Sequence, residues 1–247
     1  FPAPPVWSVI MFYDRVKISA NPRKSLSPTA DLHLTGGTTS FRRQGFYASR
    51  GKRVLDVTGA IVLLIVFLPL ILAVALTVGS QGKGMFFGHA RVGQNGRAFR
   101  CLKFRTMVPD AEQRLRDLLE RDAVARLQWQ TSHKLDNDPR ITRLGHFLRR
   151  TSLDELPQLW NVIRGDMSLV GPRPYMPHEL EAHPGARAAI ARVKPGITGL
   201  WQVSERNQST FASRALYDDS YDRSISLRTD ALVIWRTIGV VLRATGL

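Results

Sequence analysis

The sequence predicts an α/β, helix-rich fold: a monotopic membrane protein with one Pro-kinked re-entrant helix, interfacial amphipathic helices and a compact domain behind them. Three observations predict it. The run Val57–Gly82 holds no charged residue, Pro69 sits near its middle with positive charge on both flanks, and helical apolar spacing mixes with short strand-like stretches from Lys83 onward. The chain divides accordingly into a lead-in (1–49), a membrane helix (50–82) and a soluble domain (83–247).

The lead-in carries Pro2, Pro4, Pro5, Pro22 and Pro28 among scattered Ser, Thr and Gly. This composition predicts a mostly disordered segment, although Val6–Tyr13 is apolar enough to dock on a surface.

At a rise of 1.5 Å per residue the uncharged run makes about 39 Å of helix, enough to cross a hydrocarbon core of about 30 Å. Core helices of soluble proteins seldom stay apolar on every face for so long. Two membrane geometries remain. Arg42, Arg43, Arg50, Lys52 and Arg53 precede the run, and Lys83, Arg91, Arg97, Arg100, Lys103 and Arg105 follow it. A simple span should show charge asymmetry between its ends, and these flanks do not. Pro69 removes one helical hydrogen bond and leaves two arms of about 18 Å, each too short to cross alone. A helix that enters, bends at Leu68-Pro69 and leaves on the same side fits both observations. Pro also occurs in ordinary spanning helices, so a straight span stays open on these residues alone.

In the soluble domain, Ala111, Leu115, Leu118, Leu119 and Ala123 share one face of a helix predicted within Met107–Gln130, opening at Pro109-Asp110. Over Arg228–Leu242, Ala231, Ile234, Trp235, Ile238, Val241 and Leu242 form a stripe flanked by Arg236 and Arg243. That stripe suits a helix lying in the membrane interface or one packed on the domain core.

The 247 residues carry a net charge of +15 and a single cysteine, Cys101. One cysteine excludes an internal disulfide framework and a Cys-based zinc site, and suits a reducing cytoplasm. The charge calls for a polyanionic partner: nucleic acid, an anionic membrane or a phosphorylated substrate. The chain lacks a basic helix with interleaved base-stacking aromatics, which argues against nucleic acid.

Two motif-like strings are weak. His178-Glu179-Leu180-Glu181-Ala182-His183 resembles a zincin motif, but histidines five apart on a helix diverge by about 140° and cannot share a metal. Asp136-Asn137-Asp138 has the form by which metal-dependent glycosyltransferases hold a cation. No apolar strand precedes it and Pro139 follows, so a turn is expected.

The segment Arg149-Arg150-Thr151-Ser152-Leu153-Asp154-Glu155-Leu156-Pro157-Gln158 is richer. Ser152 and Glu155 have capping-box spacing, while Pro157 would also allow Asp154 as the cap. Asp154 and Glu155 are therefore expected at a helix N-terminus, either as plain capping residues or as part of a site. Arg149, Arg150, Lys103-Phe104-Arg105-Thr106-Met107 and Gly171-Pro172-Arg173-Pro174 accompany them. Adjacent carboxylates among several cations suit a phosphate site with a bridging divalent cation, and Asp can attack phosphorus.

These strings carry a family resemblance. KFRTM (103–107), DPRITRLGHFLRRTSLDELPQLWNVIRGDMSLVGPRP (138–174) and PGITGLWQVSERN (195–207) resemble the monotopic phosphoglycosyl transferases, also called bacterial sugar transferases. The similarity runs from about Arg50 to the C-terminus and favours the exopolysaccharide-initiating branch. The resemblance implies an enzyme on the cytoplasmic face of the bacterial inner membrane. It would transfer hexose-1-phosphate from a UDP-hexose to undecaprenyl phosphate and release UMP. It implies Asp154 as the nucleophile, Glu155 as the residue associated with Mg²⁺, and phosphate contacts from Lys103, Arg149 and Arg173, with Arg105 beside them. Membrane lipids are the expected surroundings, a homodimer is compatible with the resemblance, and nucleic acid is not an expected partner. Between the donors of that branch, galactose is weakly preferred over glucose.

Two departures from the family pattern stand out. Larger members carry an N-terminal bundle of spanning helices, so the chain reads as the short form. The bend reads Leu68-Pro69 where some relatives have Ser before Pro, which removes a hydroxyl able to satisfy freed backbone groups.

Overall fold

The computed structural model describes residues 45–242 apart from 83, 133–134, 183–186 and 205–210. The lead-in falls almost wholly outside these residues. Helical structure begins at a π-helical turn, Tyr47–Gly51, slightly before the expected boundary at residue 50, and continues into helix α1, Lys52–Gly79. The helical assignment runs through Pro69. Among the described residues, Tyr47–Gly79 is the one helix long and apolar enough to cross a membrane by length and composition.

Helix α1 packs most closely on the rest of the molecule near its two ends, with one face largely exposed between them. Near its start, Ala60 joins a buried cluster with Leu159, Val162, Met167 and Leu169. Near its end, Val74, Ala75 and Val78 join Phe104 and Leu148. Ile61, Val62, Ile65, Val66, Leu68 and Leu72 are exposed.

Polar contacts secure the first end. Asp56, buried inside the apolar helix, accepts hydrogen bonds from Ser168 Oγ (2.8 Å) and the Leu169 N–H (3.0 Å). Arg53 donates to the carbonyls of Val162 (2.7 Å) and Ile163 (3.0 Å). Those carbonyls lie in the last turn of a later helix, where a cation meets both unpaired oxygens and the negative dipole end.

After α1 the chain opens with a hairpin of β1, Phe86–Val92, and β2, Ala98–Phe104, paired antiparallel with Phe87 opposite Lys103. The single helix expected within Met107–Gln130 is two: α2, Ala111–Arg121, and α3, Ala123–Ser132. Asp122 divides them. Its backbone is extended, and its carboxylate accepts from the N–H groups of Val124 (2.8 Å) and Ala125 (3.0 Å). An aspartate makes a better N-cap than an interior helical residue, and here capping prevails over the continuous apolar stripe.

Helix α4, Arg143–Arg150, is capped by Thr142, whose hydroxyl accepts from the Gly145 N–H (2.9 Å). It passes so close to Thr106 that a Cβ on Gly145 would lie 2.1 Å from the Thr106 carbonyl oxygen. A short turn, Leu153–Glu155, leads to α5, Gln158–Arg164, which ends at Gly165 in the left-handed region (φ 93°). Strand β3, Ser168–Val170, pairs in parallel with β4, Gly196–Thr198. Helices α6, Pro177–Ala182, and α7, Arg187–Arg192, lie between these strands in sequence. Helices α8, Leu200–Ser204, α9, Phe211–Ser224, and α10, Leu227–Leu242, complete the chain.

Helix α10 packs part of its stripe on the core and leaves the rest exposed. Asp230 and Val233 are fully buried, and Ile234 packs on the core. Leu232, Trp235, Ile238, Val241 and Leu242 are exposed on the remainder of the helix. Asp230 accepts from Tyr47 (2.6 Å), Lys52 (2.7 Å) and Tyr221 (2.7 Å), tying this helix to the π-helical turn and the start of α1.

Candidate active site

Strand β2 and the turn before α5 meet at the site, and a buried amide fixes their meeting. Asn161 of α5 accepts from the Leu102 N–H with Oδ1 (2.9 Å) and donates from Nδ2 to the Arg100 carbonyl (2.8 Å). It thereby supplies the pair of bonds that a neighbouring strand would offer to the free edge of β2. Lys103 follows directly on that strand.

The capping expectation for Ser152, Asp154 and Glu155 does not hold. Ser152 adopts φ 58°, ψ 16° and makes no side-chain cap bond, and Pro157 takes the N-cap position of α5. A positive φ on serine is uncommon and locally costly. The tight 3₁₀ turn that follows sets Leu153 and Leu156 against the Phe104–Leu148 cluster. Released from capping, the two acidic side chains reach Lys103. Its Nζ lies 3.2 Å from Asp154 Oδ2 and 2.7 Å from Glu155 Oε1.

Burial is the main influence on the Asp154 carboxyl and raises its pKa, while Lys103 pulls the other way. Burial works against the Lys103 ammonium, but Glu155 and Asp154 outweigh it and hold the lysine above its ordinary value. Arg149 adds positive potential at Asp154. Its Nε donates to Thr106 Oγ1 (2.9 Å), the contact that the Gly145 approach makes possible.

Lys103, Glu155 and Arg173 line one small pocket, together with Arg91, Gln158 and Gln202. Arg105 stands elsewhere, in a hollow with Val78, Gln81, Gly82 and Thr142 beyond the end of α1. The structure thus gathers Asp154, Glu155, Lys103, Arg149 and Arg173, and sets Arg105 apart. Arg91, Gln158 and Gln202 escape sequence reasoning. In sequence Arg91 is one of the charges flanking the apolar run, and no spacing links β1 to the Gly171–Pro174 segment that it meets.

The weak motifs stay weak. Asp136 and Asp138 occupy a turn, where Asp138 is clasped by Arg140 (2.8 and 2.6 Å) and Asp136 accepts from Gln128 (2.8 Å). The pair His178–His183 ends outside the described residues, at His183. Among the described residues no three His, Cys, Asp or Glu side chains cluster as metal ligands.

A buried carboxylate paired with a lysine and set beside further cations has the charge arrangement that suits an anionic phosphate group. The family model for bacterial sugar transferases matches residues 47–244, and the chain belongs to that family. The UDP-galactose-lipid carrier transferase of Erwinia amylovora is 49% identical over 195 residues, covering 79% of this chain and 41% of the relative. The undecaprenyl-phosphate galactose phosphotransferase of Salmonella typhimurium is 45% identical over 195 residues, with the same two shares. The exopolysaccharide production protein ExoY of Rhizobium meliloti is 45% identical over 196 residues, covering 79% of this chain and 87% of the relative. The chain therefore spans about two fifths of the first two relatives and most of the third.

Proposed function

We propose that this chain transfers hexose-1-phosphate from a UDP-hexose to undecaprenyl phosphate, with Asp154 as the attacking group. The observation that carries this reading is the placement of Lys103 Nζ against both Asp154 and Glu155, on the wall of a pocket that also holds Arg173 and Arg91. The relatives' names support the class of reaction, and two of them specify galactose, the donor favoured here.

An anion attacking a diphosphate faces charge repulsion, and fixed cations around the phosphorus lower that barrier. In the proposed reaction a carboxylate oxygen of Asp154 forms a bond to the sugar-bearing phosphorus. The bond from that phosphorus to the bridging oxygen breaks, and UMP leaves with the electron pair. A phosphate oxygen of undecaprenyl phosphate then attacks the same phosphorus and expels the Asp154 carboxylate. The products are the lipid diphosphate sugar and the regenerated enzyme. Lys103 stands where charge passes from carboxylate to phosphate, and Arg149 and Arg173 offset the rest.

Mg²⁺ fits the donor set. Glu155, adjacent to Asp154 and already holding a cationic nitrogen at 2.7 Å, would be its protein ligand. Magnesium is commonly held by one or two carboxylates, with substrate phosphates and water completing the shell. When bound it would withdraw charge from the diphosphate.

The membrane reading joins this. Both arms of α1 pack on the same domain, at Ala60 and at Val74–Val78, while Ile61, Val62, Ile65, Val66, Leu68 and Leu72 between them are exposed. That arrangement supports a helix that bends near Pro69 and leaves the membrane on the side it entered, with the exposed stripe of α10 in the interface. The cytoplasmic face of the inner membrane, where nucleotide sugars are available, is the proposed location.

The test is the identity of the released nucleotide. Protein in nanodiscs, given UDP-galactose, UDP-glucose, Mg²⁺ and undecaprenyl phosphate, is expected to release UMP, faster with UDP-galactose. UDP as the product would overturn the phosphosugar mechanism in favour of a glycosyltransferase.

A further inference from the structure

Arg173 faces the site from a segment whose backbone is held unusually firmly. Pro172 and Pro174 restrict the chain on either side of it. Arg91 Nη1 donates to the Pro174 carbonyl (3.1 Å), and Arg214 Nη2 donates to the carbonyl of Arg173 itself (2.8 Å). Arg214 comes from α9, far along the sequence, and does not line the pocket. It is 4% exposed, with its guanidinium 3.6 Å from the centre of the Tyr175 ring and 5.3 Å from that of Trp201. Tyr175 is fixed in turn, its hydroxyl donating to Asp218 Oδ2 (2.6 Å), one helical turn after Arg214. Burying a guanidinium is costly, and ordinary packing would be served by an apolar side chain. Planarity is what this place uses: a flat cation lies over the Tyr175 ring, near that of Trp201, while its edge reaches a carbonyl.

We propose that Arg214 is a positioning residue for the UDP-sugar donor, acting through Arg173, whose carbonyl it holds so that the Arg173 side chain stays in the pocket. The inference rests on the proposed donor chemistry and extends it to a residue behind the site. A loosened Arg173 weakens donor binding and leaves the attacking group, Asp154, undisturbed. A purely structural role for Arg214 has the opposite signature, since a partly misfolded population loses turnover while its active fraction binds donor normally.

The experiment compares wild type, Arg214→Met and Arg214→Lys in nanodiscs, measuring KM and kcat for UMP release and the rise in melting temperature caused by UDP. Arg214→Met is expected to raise KM about tenfold, as loss of a hydrogen bond from a charged group would, with kcat within about threefold. The UDP-induced stabilisation should shrink in parallel, because it scales with ligand affinity. Arg214→Lys keeps the charge without the planar fork and should fall between. An unchanged KM with reduced kcat, or KM within about twofold of wild type in both variants, overturns the inference. If Arg214→Met gives no melting transition, Arg214→Lys decides by the same criterion. The UDP measurement needs no turnover, so a wild type that fails to release UMP contradicts the proposed function while Arg214 is still judged by UDP affinity.

Discussion

Lys103 Nζ lies 3.2 Å from Oδ2 of Asp154, a residue 51 positions away, and the same nitrogen lies 2.7 Å from Oε1 of Glu155. The lysine is the cation that two neighbouring carboxylates share. Lys103→Met should leave both carboxylates without their shared cation and lower UMP release by about a hundredfold, the scale of losing one charge-stabilising group. Lys103→Arg should recover part of that loss. Rates within about threefold of wild type for Lys103→Met would remove the lysine from the mechanism.

The aspartates of the turn should separate from the chemistry. Asp136→Asn is expected to leave UMP release within about twofold of wild type, because the side chain is exposed and its carboxylate accepts from Gln128, away from the site. Asp138→Ala should act on stability, since it strips a buried arginine clasp of its carboxylate, a loss of about 3–5 kcal/mol for a buried pair. Melting curves and rates on the two variants check both statements. A hundredfold fall in rate for Asp136→Asn would revive a metal-binding role for the pair.

Burial pushes the Asp218 carboxyl up to about 6, against the opposing pulls of the Tyr175 hydroxyl and Arg214. An unfolded aspartate titrates near 3.9. Between those values the native state holds more protons than the unfolded state, so this group's contribution to stability falls as pH rises through the window and is flat above it. The change is on the order of 2–3 kcal/mol. Asp218→Asn removes the titration, so the gap in melting temperature between wild type and variant should shift between pH 4 and 6 and hold steady above. A gap that is constant across that range would contradict the assignment.

Topology gives a further prediction. Arg50 and Gln81 are exposed at opposite ends of the membrane helix. Cysteines placed at each should react with a membrane-impermeant maleimide from the same side, while the buried Cys101 stays silent. Reaction from opposite sides would establish a simple span.

Much of this site was legible in advance because its chemistry is local in sequence. Asp154 and Glu155 stand next to each other, and the strings around Lys103, Arg149 and Arg173 carried the family resemblance. The conformation was not legible. Ser-Leu-Asp-Glu reads as a cap, and the packing of Leu153 and Leu156 against Phe104 and Leu148 makes it instead a turn whose two carboxylates reach Lys103. Arg105 shares the KFRTM string with Lys103, but the strand ends at Phe104 and Arg105 lies in the separate hollow beyond the end of α1. Arg91 and Arg214 were invisible for a different reason. Their roles depend on contacts to carbonyls 83 and 41 residues away, which no local pattern reports. The break at Asp122 was missed because apolar spacing continued through it while a single carboxylate restarted the helix.

The central claim is that Asp154 carries the phosphosugar. Wild-type protein mixed with UDP-galactose and Mg²⁺, without lipid acceptor, then quenched and digested, should yield one peptide heavier by a hexose phosphate, with the modification at Asp154. Undecaprenyl phosphate should discharge it, and Asp154→Asn should never form it. An adduct that persists in Asp154→Asn, or one that maps to another residue, would contradict the account.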